Sequence, residues 1–247
     1  MQRFYAPPEH FTGGRVHLSA EEAHHVCRVL RLGPGAQVYV FDGLGREYLV
    51  EIEIANGRAV SGRILAELPQ GREAPLALTL AQGLAKGDKL ELVIQKATEI
   101  GVQAVIPLHT ARSVVKPSEG TRRTERWQRI AREATKQCGR AFVPRIESIT
   151  TLRALSERFG EFDAVFIFWE EERARRLKAA LAELAERGSV RRLLILVGPE
   201  GGFTPDEVGL VVEAGALPVT LGPRILRTET AGLVAASIIL YELGDLG

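Results

Sequence analysis

The sequence predicts an α/β chain: a small N-terminal β-barrel, then a parallel sheet covered by helices. Two observations carry this. Short β-rich runs between turn signals fill residues 1–70, and strand-like and helix-like runs alternate over 71–247. A third, the stretch from Leu68 to Pro75 punctuated by Pro69, Gly71 and Pro75, places the boundary between the two domains at 70/71.

In the barrel, Gln37 to Phe41, Glu47 to Ile54 and Ala59 to Leu65 read as strands. The turns between them are Asp42-Gly43-Leu44-Gly45 and Asn56-Gly57, the latter a strong hairpin signal. Ser19 is a good N-cap, and Glu22 three residues on completes a capping box, so a helix is predicted over Ser19 to Leu30. Beyond the boundary, Leu76 to Ala81, Val102 to Pro107, Val143 to Ile149, Asp163 to Phe168, Arg192 to Val197 and Ala216 to Leu221 are predicted strands. Helices are predicted over Asp88 to Ile100, Thr121 to Cys138, Glu171 to Arg187, Thr204 to Ala214 and Thr228 to Leu243. Gly101 and Gly139 end the first two of these helices. The all-apolar Leu193 to Val197 fits a central strand with both faces buried.

Composition excludes several classes. Of 247 residues, 45% are hydrophobic and 26% charged, enough apolar surface to offset the ordering entropy that keeps disordered chains open. Two cysteines, Cys27 and Cys138, make no disulfide framework and read as reduced thiols, so a cytoplasmic location is expected. No signal-type apolar run opens the chain, and nothing approaches the roughly 18 apolar residues of a membrane span. The net charge of +1 hides an uneven distribution: residues 73–150 hold 13 basic and 8 acidic side chains, whereas 151–247 hold 11 and 15. A localised basic excess fits a nucleic-acid surface or a solvated Arg/Glu helix face.

Two loops are the candidate ligand site. After Val197 comes Gly198-Pro199-Glu200-Gly201-Gly202, then a helix with Thr204 as N-cap and Pro205 in its first turn. Ligands of parallel sheets bind beyond the carboxyl ends of strands, and glycine lets them approach the backbone. The spacing is neither GxxxxGK[ST] nor GxGxxG, and acidic residues in the first turn of the helix disfavour a phosphate there. A second loop, Leu221 to Gly232, has the same texture, with Thr228 as its N-cap. The backbone of Gly198, Leu221, Ile225 and Leu226 is suited to an adenine-like edge.

GPEGGFTPDE together with LGPRILRTETA resembles the bacterial 16S ribosomal RNA (uracil-N3)-methyltransferases of the SPOUT superfamily. The resemblance extends to Arg3 to Tyr5, His24 to Leu32, Lys86 to Val102 and Arg126 to Arg140. It implies a PUA-like barrel for RNA, a deep trefoil knot in the C-terminal domain, a homodimer, and S-adenosylmethionine as cofactor. The cofactor is expected at Leu196, Val197, Gly198, Pro199, Glu200, Gly201 and Gly202 of the first loop. From the second loop come Leu221, Gly222, Ile225, Leu226, Arg227, Thr228, Thr230 and Ala231.

RNA contacts are assigned to Arg3, Arg28, Arg31, Lys86, Arg112, Arg129, Lys136 and Arg140, with the barrel and the basic helix forming one electropositive surface. Arg28 and Arg31 are spaced i, i+3, as for one helix face, and Arg132, Lys136 and Arg140 repeat at i, i+4, i+8. His24, His25 and Cys27 lack a second ligand pair, so no metal is expected. Phe166, Phe168 and Trp169 read as core rather than as a base-stacking platform. Uridine N3 must lose a proton before it attacks a methyl group, and Glu133, Glu200 and Glu229 are the candidate bases.

Three other readings stay open at this point. A non-catalytic RNA-binding protein would fail to bind the cofactor. A Rossmann-type oxidoreductase would need the missing GxGxxG. A SPOUT enzyme for another ribosomal or transfer RNA nucleotide would differ only in product. The expected substrate is 16S RNA in the assembled small subunit.

Overall fold

The computed structural model describes residues 1–69, 73–113 and 120–246. The chain divides into two compact units. One is Met1–Glu73 with Arg132–Val143, and the other is Ala74–Ala131 with Pro144–Gly247. The boundary drawn at 70/71 lies outside the described residues.

The first unit is built on six strands: β1 (Arg3–Tyr5), β2 (Phe11–Thr12), β3 (Arg15–His17), β4 (Gln37–Phe41), β5 (Glu47–Ala55) and β6 (Val60–Glu67). Their order is β1-β4-β5-β6-β3-β2, with β1 parallel to β4 and the other pairs antiparallel. The sheet curls, helped by two register shifts between β5 and β6 that add local twist. Among the described residues its end strands do not meet, so the predicted barrel is a half-barrel. With three and two residues, β1 and β2 are too short to close it. At the β5–β6 turn Gly57 adopts φ +77° while the Asn56 Oδ1 accepts the Arg58 and Ala59 N–H groups. Inward residues Phe4, Val16, Val38, Val40, Val50 and Ile52 alternate with outward ones and form the core.

The predicted helix over Ser19 to Leu30 is not one α-helix. An α-turn, α1 (Ala20–His24), widens into a π-helical turn over His25–Val29 that buries Val26. Ser19 Oγ does accept the Glu22 N–H at 3.2 Å. The Glu22 carboxylate does not return to Ser19. It accepts the Tyr5 N–H and, at 2.9 Å, the Lys136 ammonium.

The other unit holds β7 (Ala77–Gly83), α2 (Lys89–Ile100), β8 (Ala104–His109) and the start of α3 (Gly120–Cys138). It continues with β9 (Arg145–Ile146), β10 (Thr150–Thr151), α4 (Leu152–Ser156), β11 (Ala164–Phe168) and α5 (Leu177–Glu186). β12 (Arg192–Val197), α6 (Pro205–Glu213), β13 (Leu217–Val219) and α7 (Thr228–Leu243) complete it. The strand order is β10-β8-β7-β12-β11-β13, with β9 also on β8, and every pair is parallel. Leu193 to Val197 lies at the centre, buried throughout, as its apolar run requires.

Two predicted elements shrink for local reasons. The strand over Val143 to Ile149 yields only the two residues of β9, and β10 lies just beyond it. The Gln128 amide donates to Pro144 O and accepts from Ile146 N, taking the place of a longer ladder. The helix expected from Glu171 starts at Leu177, because the Glu172 carboxylate binds the Ala174 and Arg175 N–H groups in a turn.

Candidate functional site

Four strands of the second unit end in one row. Gln82 of β7 pairs with Val197 of β12, Val197 with Phe168 of β11, and Phe168 with Val219 of β13. The segments leaving this row enclose a cavity of about 560 Å³. Parallel strands aim their free carboxyl ends the same way, which is why a binding crevice forms at this edge.

The 198–202 loop is shaped by what surrounds its glycines. At Gly202 φ is +68°, and a Cβ there would fall inside the Glu170 carboxylate. Gly83, at the end of β7, is tighter: its Cβ would lie 2.7 Å from the Gly198 carbonyl carbon and overlap the Pro199 nitrogen. Gly201 meets only the side chain of Arg112, whose Nη1 donates to Gly201 O at 2.6 Å. Thr204 and Glu207 form a complete capping box at the start of α6, and Glu207 also accepts the Ala111 N–H at 2.7 Å.

The two loops are latched together. The Thr228 hydroxyl donates to Gly198 O at 2.5 Å, and the buried Gln82 amide donates to Thr228 Oγ1 at 2.8 Å. Thr228 is therefore not the N-cap of α7. Arg227 holds that place with no side-chain bond, and the Thr228 hydroxyl faces the neighbouring loop. Gly232 gives the Gln82 carboxamide room: a Cβ there would stand 2.8 Å from Gln82 Oε1.

Charge at the cavity centres on Lys89. Its Nζ lies 3.0 Å from Glu200 Oε1 and 3.6 Å from Glu229 Oε2. Burial alone would push the Glu200 carboxyl up. The N–H groups of Glu200 and Lys86 and the Lys89 ammonium outweigh it, holding Glu200 below the ordinary range. The hydrogen bond to Glu200 raises Lys89 in turn. Two residues of the cavity wall, Trp169 and Glu229, each carry a buried polar atom, Nε1 and Oε2, with no hydrogen-bond partner among the described residues. Such orphans are uncommon, and here they offer one donor and one acceptor to a ligand.

Most loop residues named from sequence line the cavity, from Val197 through Gly202 on one side and from Leu221 to Ala231 on the other. Two do not. Leu196 packs into the core on the other side of its strand, and Thr230 is exposed on α7. The sequence reading missed Lys89, Glu170, Arg173 and Gly83. Lys89 stood within the motif Lys86 to Val102, but only the fold carries it to the glycine loop. Trp169, expected in the core, packs partly against it and also lines the cavity.

The basic set divides sharply. Arg28, Arg31, Lys86 and Arg129 are exposed. Arg31 follows the π-turn with φ +55°, so it does not share a helix face with Arg28. Arg112 is exposed but bonded to the glycine loop. Arg3, Lys136 and Arg140 are engaged within the first unit, which corrects their assignment to phosphate. Arg3 pairs with Glu47 at 2.6 Å and donates to the carbonyls of Thr135, Lys136 and Arg140, closing the end of α3. Lys136 sits between Glu22 and Glu133. Arg140, 4% exposed, binds Glu73 at 2.6 Å. Glu133 belongs to this same unit, so it is not part of the cavity.

Among the described residues no His, Cys, Asp and Glu group could hold a metal, and no helix is long and apolar enough to cross a membrane.

Known proteins align with this architecture. An RNA methyltransferase domain family matches residues 72–240, and an RNA methyltransferase PUA domain family matches 18–65. The ribosomal RNA small subunit methyltransferase E of Bacillus subtilis is 39% identical over 91% of this chain and 89% of its own length. That of Synechocystis is 34% identical over 96% and 76%. The crystal structure of the Neisseria gonorrhoeae enzyme of that name, bound to S-adenosyl methionine, is 33% identical and superposes with a TM-score of 0.89 over all of both chains. With its half-barrel, its parallel sheet and its two latched loops, the chain belongs to the ribosomal RNA small subunit methyltransferase E family of RNA methyltransferases.

Proposed function

We propose that this protein transfers a methyl group from S-adenosylmethionine to N3 of a uridine in 16S ribosomal RNA. The carrying observation is the cavity at the strand ends, lined by the glycine loop and by Trp169 and Glu229, whose Nε1 and Oε2 have no hydrogen-bond partner among the described residues. That wall fits a cofactor with an apolar-faced ring and polar edges. Gly198, Leu221, Ile225 and Leu226 would hold its adenine end, and the Gln82–Thr228 latch keeps their two loops at fixed spacing. The bound cofactor supplies a methyl group on a positively charged sulfur, a leaving group that needs no further activation. What the chain adds is position, removal of the uridine proton and exclusion of water. Calorimetry with S-adenosylmethionine, and mass spectrometry of ribosomal RNA from a deletion strain, test the reading. It predicts binding, and loss of one N3-methyluridine that the intact gene restores. No binding would leave a bare RNA-binding protein, and loss of a different methylated nucleotide would name another substrate.

The RNA side of the reading rests on Arg28, Arg31, Lys86 and Arg129, exposed cations suited to phosphate. Reversing Arg28 and Arg31 to Glu should weaken RNA binding and reduce the slope of log affinity against log salt by about one per lost contact. Cofactor affinity should stay unchanged, since these residues lie outside the cavity. An unaltered salt slope would remove both residues from the RNA face. The assembled small subunit is the proposed substrate, because one uridine must be presented in a fixed shape.

The knot and the homodimer belong to the same reading. The interlocked bonds of β7, the 198–202 loop and the start of α7 suit a threaded chain end. Ile238, Tyr241 and Leu246, exposed at 37%, 63% and 49%, leave an apolar face at the end of the chain that a second copy would cover. Sedimentation at twice 27.0 kDa is expected, and an active monomer would overturn the dimer.

A further inference from the structure

We propose that Glu229 takes the N3 proton of the target uridine while Lys89 holds the neighbouring carbonyl oxygen, an inference that rests on the methyltransferase reading above. Three carboxylates were candidates. Glu133 lies in the first unit, exposed and paired with Lys136 at 3.3 Å. Glu200 faces the cavity, but its Oε1 already accepts from Lys89 Nζ at 3.0 Å and Lys86 N at 3.1 Å. Glu229 differs: the residue lines the cavity, and its buried Oε2 accepts no hydrogen bond among the described residues. Lys89 Nζ stands 3.6 Å from that oxygen, an ion-pair distance too long for a hydrogen bond. A free acceptor beside a cationic donor is what the wall presents.

The imide edge of uracil complements it. Its N3–H is a donor between two carbonyl acceptors. Glu229 Oε2 would accept the N3–H, and the Lys89 ammonium would donate to O4 or O2. Cytosine fails the first contact wherever the ammonium sits, and fails the second when the ammonium sits at the position of O4. Its N3 carries no proton, and on the N4 side an amino group would face the ammonium. A site built for a donor rejects an analogue lacking it, because its own buried acceptor then stays unpaired.

The pair also answers why a carboxylate beside a lysine would serve as a base. The gain comes from the other partner. As the N3–H bond breaks, negative charge spreads onto O2 and O4, where the ammonium stabilises it. The step balances. The N3 proton goes to Glu229 Oε2, and the electron pair left on N3 forms the bond to the methyl carbon. The carbon–sulfur bond breaks with its pair on sulfur, which becomes a neutral thioether, and Glu229 later returns its proton to water.

The test uses the whole protein with labelled S-adenosylmethionine and small subunits from a strain lacking the modification, under single-turnover conditions. Glu229→Gln should slow transfer by about 100-fold or more, with cofactor affinity within about threefold of the parent. Glu229→Asp, which keeps the carboxylate, should recover much of the rate. On subunits carrying 5-fluorouridine, whose N3–H is more acidic, Glu229→Gln should regain about tenfold while the parent changes little. A Gln variant as fast as the parent overturns the proposal. So does a rate loss that fluorination does not relieve, which marks a structural role, or cofactor affinity lost in step with rate, which marks a clamp on the cofactor. If the parent itself makes no N3-methyluridine, the methyltransferase reading falls and this one with it. If the parent is active and the Gln variant equals it, only the proton assignment falls.

Discussion

Arg140→Ala is expected to destabilise the first unit by about 3 kcal/mol, at the low end of the roughly 3–5 kcal/mol for breaking a buried pair. The guanidinium is almost fully enclosed, at 5% side-chain exposure, while Glu73 is 25% exposed and so keeps some solvation after the loss. Glu73 also accepts the Phe142 N–H, and Arg140 O accepts from Arg3, so the pair ties 132–143 to the sheet at several points. Melting of this unit, followed by hydrogen exchange at β4 and β5, should fall by more than about 10 °C, given about 4–8 °C per kcal/mol for a unit of this size. Arg129→Ala, at an exposed site, should stay within about 0.5 kcal/mol. Equal melting of Arg140→Ala and the parent would show that the pair does not hold the unit. Charge reversal at Arg140 is therefore a poor probe of RNA: it would abolish binding by unfolding what binds.

Gly83→Ala is expected to cost more in cofactor affinity than Gly201→Ala in the glycine loop. The added methyl would meet backbone, not a movable side chain: the Gly198 carbonyl carbon at 2.7 Å and the Pro199 nitrogen nearer still. Either β7 or the 198–199 peptide must shift, at a cost of about 1–3 kcal/mol of overpacking. A displaced Gly198 O also loses the Thr228 latch, so cofactor affinity should fall by about tenfold or more, one broken hydrogen bond being worth about 1 kcal/mol and its unpaired groups more. Gly201→Ala is the milder change, because its nearest contacts, Arg112 Cβ at 3.0 Å and Cδ at 3.2 Å, are looser and lie on a side chain. Calorimetry on the two variants orders them. Equal or reversed losses would show that Gly83 is not what sets the loop.

Where sequence and structure agree, the reason is local chemistry. The Thr204 cap with Pro205 and Glu207, the Gly101 helix end at φ +117° and the apolar β12 each depend on neighbours in the chain, and each was legible. What was missed depends on distant partners. Gly83 looks like any strand-end glycine until Pro199 is seen against it. Thr228 looks like a cap until Gly198 O is found beside it. Arg140 completes a basic i, i+4, i+8 stripe that suggests phosphate, yet its partner is Glu73, 67 positions away. Periodicity reports which face a residue takes, not whether that face meets solvent. Helix α1 failed differently: its cap was real, but no short-range signal marked the extra residue that widens its second turn.

The latch of Gln82, Thr228 and Gly198 also bears on how the chain reaches its native state. Gln82 is 146 positions from Thr228 and 116 from Gly198. Contacts of that span close large loops and come at a high entropic cost, so they form once most of the sheet is in place. The binding crevice is therefore expected to form late, once α7 has docked on the sheet. Cofactor present during refolding has nothing to bind until that moment and cannot speed the approach to it. Once there, it slows escape, because the latch must open before the sheet can come apart.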